Sequence, residues 1–250
     1  MFDLKLYSGD EDWLRVNYPD LNIKKGDDEI PIIEGLLKFD MVFYAKDKPY
    51  VINPASEHLT KGVRIQDEYE IKIVLKASEH SNLPQVYEPG GRIAAVSKSK
   101  NLKQEDLHLN PNGAACLCLN YEENNYFPNS FNIPDFFNNL VIPFFYAQSH
   151  FGKNNLWPWG EYSHGIMGLV EWYGIQQNFD DIEVHSFLDK MKKYREWPTY
   201  EERLKRKRGV KGGHNCICGS LKKFRDCHKL IFKGLWQLKS NLNNQAKKID

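Results

Sequence analysis

The chain has no long hydrophobic run, because its 250 residues contain no stretch of eighteen uninterrupted apolar residues. We therefore expect no membrane-spanning helix and no membrane partner. The first residues, Met1–Lys5, lack the basic and then apolar layout of a signal peptide. Cysteine is scarce, and five thiols in two clusters are not typical of a disulfide framework. A reducing cytoplasm is the expected location.

Several signatures of enzymes and cofactor-binding proteins are also missing. The sequence contains no Walker phosphate-binding loop, no dinucleotide-binding glycine fingerprint and no paired-carboxylate hydrolase pattern. If the chain handles an acyl group, we expect another protein to activate that group. The last residues, Lys247–Asp250, lack the Gly-Gly end expected of a transferred protein modifier. We therefore expect a carrier of such a modifier rather than the modifier itself.

The composition predicts a folded core and a division of charge along the chain. Hydrophobic residues make up 41% and aromatic residues 13% of the sequence, and the net charge is only +1. Residues 201–250, however, contain fourteen Lys or Arg and four Asp or Glu. The remaining residues contain twenty Lys or Arg and twenty-nine Asp or Glu. The change from an acidic to a basic region is a candidate domain boundary.

Hydrophobic periodicity predicts an α+β fold in which the strands come first. Two sets of apolar residues recur at every second position: Leu37, Phe39, Met41 and Phe43, separated by Lys38, Asp40 and Val42, and Ile71, Ile73 and Leu75, separated by Lys72 and Val74. This alternation is typical of strands that bury one face. Short turns between successive strands favour an antiparallel meander.

In the second half of the chain the apolar residues follow a helical period. They predict helices over 137–145, 166–173 and 184–191. Pro143 should kink or split the first helix, and Gly165 and Gly168 lie within the second, where close packing would explain them. Thr199–Glu202 has the spacing of a capping box and should open a basic helix that ends at Arg208.

Residues 107–119 contain the strongest candidate for chemistry. They read Leu-His-Leu-Asn-Pro-Asn-Gly-Ala-Ala-Cys-Leu-Cys-Leu, so a glycine-bearing turn precedes Cys116. The polar approach favours exposure of this thiol, and the apolar continuation favours a fixed position, as a nucleophile beside oxyanion donors requires. The alternative is a structural cysteine that is buried as a small apolar group.

This stretch resembles the signature of ubiquitin-conjugating enzymes, in which an Asn-Gly turn leads into Gly-x-x-Cys-Leu. Here the signature is Asn112–Leu117. Eukaryotic members carry His-Pro-Asn upstream, whereas this chain has Asp106–His108, so that His108 takes the place of the asparagine. In this difference the chain is similar to bacterial relatives of these enzymes from antiphage operons of the CBASS type. Two segments, 69–75 and 83–89, resemble the family's central strand pair and proline-rich turn.

The resemblance, which covers roughly residues 30–178, implies a thioester reaction. Cys116 would accept a protein C-terminus and transfer it to an amine or a thiol. His108 would polarise the carbonyl or act as a base, and Asn112 would donate to the oxyanion, as Asn110 also could. The alternatives are a histidine that caps the loop and asparagines that shape the turn. Cys118 is either a second working thiol on the same face or a small core residue.

In antiphage operons such enzymes join the C-terminus of a cGAS-like nucleotidyltransferase to a target and raise its signalling output. The resemblance therefore implies that protein partner, although the residues themselves do not identify the cargo. The rival interpretation is a non-catalytic adaptor that binds through the same fold. A thiol protease fits less well, since its proton relay needs more than His108. A further histidine, His164, is either near the site or structural.

The second cysteine cluster predicts a metal centre. Cys216, Cys218, Cys227 and His228 lie within thirteen residues, and Gly219 permits a tight turn between them. Four such ligands fit tetrahedral zinc and leave no position for water, so we predict structural Zn²⁺. Unliganded thiols or a redox pair are the alternatives. The segment is similar to the SEC-C motif, which was first recognised at the C-terminus of the SecA translocation ATPase.

These patterns predict four parts. They are a ubiquitin-conjugating-like domain (1–196), a basic helical linker (197–213), a SEC-C zinc knuckle (214–232) and a C-terminal tail (233–250). In relatives the knuckle binds proteins or ribosomes. The basic helix could contact an acidic protein or RNA, or it could be a solvated charged face; its cations are Arg203, Lys205, Arg206, Lys207 and Arg208. The sequence shows no RNA-binding signature with interleaved aromatic residues.

Overall fold

The computed structural model describes residues 2–44, 50–55, 62–78, 81–119, 122–160, 162–176, 178–206 and 209–249, with side chains as far as Gln245. The chain forms two compact units, Met1–Gly160 and Glu161–Asp250. Residues 161–196, which the sequence analysis assigned to the ubiquitin-conjugating-like domain, belong to the second unit.

The first unit is built on a five-stranded antiparallel sheet. It begins with helix α1 (Asp10–Asn17), and the strands are β1 (Leu21–Lys25), β2 (Pro31–Phe43), β3 (Tyr50–Ile52), β4 (Val63–Val74) and β5 (Gln85–Tyr87). The strand order is β1-β2-β4-β5, and β3 pairs with the end of β2. The predicted α+β class with an antiparallel sheet is therefore confirmed.

Alternating residues of the two long strands form the core of this unit, as predicted. On β2, Leu37 and Met41 are completely buried, and on β4, Ile71 and Ile73 are buried as well. The register places Leu37 opposite Tyr69, so the buried faces of the two strands coincide. One-sided burial of this kind requires the period of two that the sequence shows.

Helices of the first unit flank this sheet and the loop that carries the first cysteine pair. They are α2 (Arg92–Lys100), α3 (Glu123–Tyr126), α4 (Ile133–Phe136) and α5 (Ile142–Asn154). A π-helical segment, Phe137–Val141, joins α4 to α5. Pro143, in the first turn of α5, has no N–H to continue the ordinary hydrogen-bond ladder, which accounts for the irregular segment before it. The predicted helix over 137–145 is thus present, with a π-helical segment in place of a break.

The second unit contains four α-helices among its described residues. They are α6 (Ile166–Ile175), α7 (Asp181–Met191), α8 (Trp197–Lys205) and α9 (Lys229–Ile249). Residues 233–250 were predicted to form a tail, but 233–249 belong to α9, where Leu235 and Leu238 are completely buried. Among the helices that the structure describes, none has the length and apolarity needed to cross a bilayer.

Three predicted helix boundaries in this unit are wrong. Helix α8 begins at Trp197 with Pro198 in its first turn, so Thr199 lies inside the helix and caps nothing. The helix ends at Lys205, short of the predicted Arg208, which together with Lys207 lies outside the described residues. Gly165 precedes α6 with a positive φ of 62° and is not part of the helix.

Helices α6 and α9 cross at two glycines. A Cβ atom on Gly234 would lie 1.9 Å from the carbonyl oxygen of Val170, and one on Gly174 would lie 2.8 Å from the backbone nitrogen of Gly234. Real Cβ atoms do not approach other atoms so closely, so the crossing requires a missing side chain at both positions. This contact fixes α9 against α6.

Candidate functional site

The loop before Cys116 is a tight turn fastened to the sheet. The N–H of Asn110 donates to the carbonyl of Ala114 (2.8 Å), and Gly113 has a φ of 81° that a side chain would disfavour. The N–H of Ala115 donates to the carbonyl of Val86 on β5, at 2.7 Å. The Asn-Gly turn of the sequence therefore fixes the backbone directly before the thiol.

His108 is held beside Cys116 by its backbone. The N–H of Cys116 donates to the carbonyl of His108 at 2.7 Å, and His108 has a left-handed φ of 53°. This conformation is uncommon outside glycine and occurs often at functional sites. The imidazole contacts Trp157 edge to face, with 4.5 Å between the ring centres. His108 thus has a defined orientation in the first unit.

Cys116 and Cys118 line the same cavity, which has a volume of about 50 Å³. Both residues are partly exposed. Ser81 and Leu83 are also part of the wall. Burial raises the pKa of Cys116; burial and then the carboxylate of Glu123 raise the pKa of Cys118 further above its ordinary value. Of the two thiols, Cys116 therefore ionises more readily.

The two candidate oxyanion donors have structural hydrogen bonds. The side-chain amide of Asn112 donates to the Gln85 side chain at 3.2 Å, and its oxygen accepts from the N–H of Ala114 at 3.1 Å. The amide of Asn110 donates to the carbonyl of Ala115 at 3.4 Å. These contacts shape the turn. They agree with the alternative interpretation, in which both asparagines are structural.

A buried carboxylate behind the cavity was not found by sequence reasoning. Glu123 is only 2% exposed. It accepts hydrogen bonds from the hydroxyl of Ser81 (2.7 Å) and from the side-chain amide of Asn82 (2.9 Å). Glu123 therefore holds the wall segment that faces the two thiols. No local pattern predicts this contact, because its partners are about forty residues apart in the chain.

The second cysteine cluster lies on a small knuckle in the second unit. The N–H of Cys216 donates to the carbonyl of Lys222 at 2.7 Å, and Gly219 turns the chain with a φ of 81°. Phe224 is completely buried, and its ring lies 6.4 Å from that of Phe232 on α9. Cys227 and His228 immediately precede α9, so the knuckle is connected directly to the start of this helix.

The four predicted metal ligands converge. The Sγ atoms of Cys218 and Cys227 are 3.6 Å apart, and the Nδ1 atom of His228 lies 3.3 Å from Sγ of Cys216. All four ligand atoms lie within 4.8 Å of one another. Tetrahedral zinc, with Zn–S bonds of about 2.3 Å and a Zn–N bond of about 2.0 Å, separates its ligand atoms by about 3.5–3.8 Å. The cluster therefore has the chemistry and dimensions to bind a metal ion.

Ser220 supports this cluster from the turn. Its hydroxyl lies 3.1 Å from Sγ of Cys218 and 3.3 Å from Sγ of Cys227. Hydrogen bonding by Ser220 lowers the pKa of Cys218 to about 6, whereas burial raises the pKa of Cys216. A hydroxyl that donates to a thiolate favours the anionic form that binds metals.

The remaining candidate, His164, is exposed and lies in the second unit.

No protein-family profile, curated protein or solved structure matches the chain.

Proposed function

We propose that the chain is a ubiquitin-conjugating-like enzyme that accepts a protein C-terminus as a thioester on Cys116. The observation that carries this proposal is the position of Cys116, partly exposed at a cavity and fixed by backbone hydrogen bonds through Ala115 and His108. A nucleophile needs this combination of access and fixed orientation. The ubiquitin-conjugating fold itself is part of the proposal.

The proposed reaction needs no cofactor at Cys116. The sulfur attacks the carbonyl carbon of an incoming thioester, the carbonyl–sulfur bond of the donor breaks, and the donor thiol leaves with the proton that Cys116 loses. An amine or thiol of the acceptor then displaces Cys116 in the same way. His108 is proposed to polarise the carbonyl or take the proton, and Asn112 to donate to the oxyanion after leaving Gln85. Cys118 is the second, less ionised thiol of the cavity.

The cysteine–histidine cluster is proposed to bind structural Zn²⁺ through Cys216, Cys218, Cys227 and His228. Its donor set and separations support this assignment. As the resemblance to CBASS-type enzymes implies, the proposed cargo is the C-terminus of a cGAS-like nucleotidyltransferase, and the proposed location is the cytoplasm.

A non-catalytic adaptor is the second candidate. The observation that favours it is the effect of burial on Cys116, since a raised pKa lowers the fraction of reactive thiolate at neutral pH. In this proposal the first unit binds a partner without forming a covalent bond, and the knuckle recruits another protein.

Coexpression with the neighbouring genes distinguishes the two candidates. For an enzyme, we expect intact-mass spectrometry under non-reducing conditions to find an adduct that is lost on thiol treatment. Peptide mapping should place it on Cys116, and Cys116→Ala should abolish it. The matched control, Cys118→Ser, should keep it. No thiol-sensitive adduct in the wild-type protein, together with retained noncovalent binding of a neighbour's product, would favour the adaptor.

The reactivity of Cys116 should rise at a higher pH than that of an ordinary thiol. Burial favours the neutral form in the folded protein, so half of the Cys116 thiol is ionised only at a pH above the usual pKa of about 8.5. Below its pKa the rate of alkylation by iodoacetamide should increase about tenfold per pH unit. Peptide mass spectrometry measures this rate, with Cys118 expected to react at still higher pH. If the pH of half-maximal labelling is lower for Cys116 than for free glutathione, this prediction is contradicted.

A further inference from the structure

An exposed tryptophan stands on α9 between lysines. Trp236 is 58% exposed, which is unusual for so large an aromatic side chain. Lys233 precedes it by one helical turn and Lys229 by two, and both are exposed. Residues spaced three and four apart share one helix face. Helix α9 therefore presents a stripe in which a flat aromatic ring follows two cations.

The segment before the knuckle lies along the same part of α9. The ammonium group of Lys239, one turn beyond Trp236, donates to the carbonyls of Leu204 and Arg206, the latter at 2.7 Å. One turn before Trp236, the ring of Phe232 lies 4.0 Å from where a Cβ of Gly212 would be. Residues 206 and 212 are thus fixed beside the turns that flank Trp236. The second contact places Lys211, the neighbour of Gly212, close to the Phe232 end of the tryptophan stripe.

The charge of this region is almost entirely positive. From Arg203 to Lys239 the chain has twelve Lys or Arg and one acidic residue, Asp226. The described cations Lys211, Lys222, Lys223, Arg225, Lys229 and Lys233 are all exposed. Among the ion pairs of the described residues, only Arg225 of this group has a carboxylate partner. Lys205 and Arg206 pair with Glu201 and Glu202, so the uncompensated positive charge of the described residues lies in the knuckle and on α9.

We propose that this surface of the second unit, formed by Trp236 with Lys229, Lys233 and Lys211, binds single-stranded nucleic acid. Cations bind the phosphates, and a base stacks on the indole ring, as in proteins that bind single strands with little sequence preference. An acidic protein would use the cations but would leave the ring without a planar partner. Double-stranded nucleic acid keeps its bases stacked inside. This inference is independent of the proposed chemistry at Cys116.

The test uses the full zinc-loaded chain and a fluorescein-labelled oligouridylate RNA of about 15 nucleotides, with fluorescence anisotropy as the readout. We expect Trp236→Ala to weaken binding by about tenfold, Trp236→Phe to retain most of the affinity, and Lys233→Glu to reduce the slope of log affinity against log salt by at least about 0.7. The matched control is Ile182→Ala, which removes an exposed apolar side chain on α7 and should change nothing.

Several outcomes overturn the proposal. They are no binding by the wild-type chain, equal binding by wild type and Trp236→Ala, and equal competition by a duplex of the same length. Equal competition by polyglutamate of matched charge also overturns it and assigns the surface to an acidic protein. Zinc content and melting temperature of each variant show whether a loss of binding is a loss of fold. The Trp236→Phe and Lys233→Glu variants keep the test decisive if the alanine variant unfolds.

Discussion

Replacing Cys216 and Cys227 together by serine should reduce bound zinc from about one ion per chain to nearly none. Both sulfurs belong to the converging ligand set, and two remaining ligands do not hold a tetrahedral ion. Structural zinc contributes about 10–16 kcal/mol in small zinc domains, which is as large as the whole stability of many proteins. We therefore expect the knuckle to unfold.

Metal analysis and thermal unfolding measure this loss. Phe224, completely buried between the knuckle and α9, should become accessible, so the second unit should also melt at a lower temperature. The matched control is Cys118→Ser, which removes a thiol from the other cluster and should leave the zinc content unchanged. Zinc content that stays at the wild-type level in the double variant would remove the metal assignment.

Changing Cys116 to serine should convert a thiol-labile adduct into a thiol-resistant one. An oxygen ester does not exchange with added thiols, so nearly all of the adduct should survive a treatment that removes nearly all of the wild-type adduct. Its accumulation should be slower, because a serine hydroxyl is a weak nucleophile without an adjacent base. Hydroxide, which cleaves esters, should release the cargo and allow its identification by mass.

The corresponding variant of Cys118 tests whether the second thiol takes part. Because the pKa of Cys118 is raised further than that of Cys116, we expect Cys118→Ser to charge and discharge at nearly the wild-type rate. A tenfold loss in this variant would instead assign Cys118 a part in the transfer. Loss of charging in both serine variants with an intact fold would point to a paired action of the thiols.

The sequence predicts best where one residue type has one physical use. Alternation predicted the buried face of β4 and of Leu37–Met41 on β2 correctly, although Val42, assigned to the opposite face, is also completely buried. The metal ligands could be chosen because cysteine and histidine at this spacing have few other uses. The turn before Cys116 followed from Asn112 and Gly113, whose conformational preferences are local.

The failures have physical causes too. Pro198 starts α8 earlier than the apparent capping box, because a proline suits the first helical turn better than any competing cap. The buried carboxylate of Glu123 and the glycine crossing of α6 and α9 depend on contacts between residues distant in sequence, which no local period reveals. The polar end of α9 resembled a tail, although a single buried stripe, including Leu235 and Leu238, holds it in the second unit.

The contact between Gly174 and Gly234 has a mechanical consequence for the second unit. Helix α9 starts one residue after His228 and meets α6 five residues later, so it has little freedom to rotate or slide. If the knuckle unfolds, the start of α9, a helix about 30 Å long, loses its attachment, whereas the contact with α6 at Gly234 remains. We therefore expect ligand binding at Trp236 and metal binding at the cysteine cluster to be coupled through α9, and linkage makes any such coupling equal in both directions.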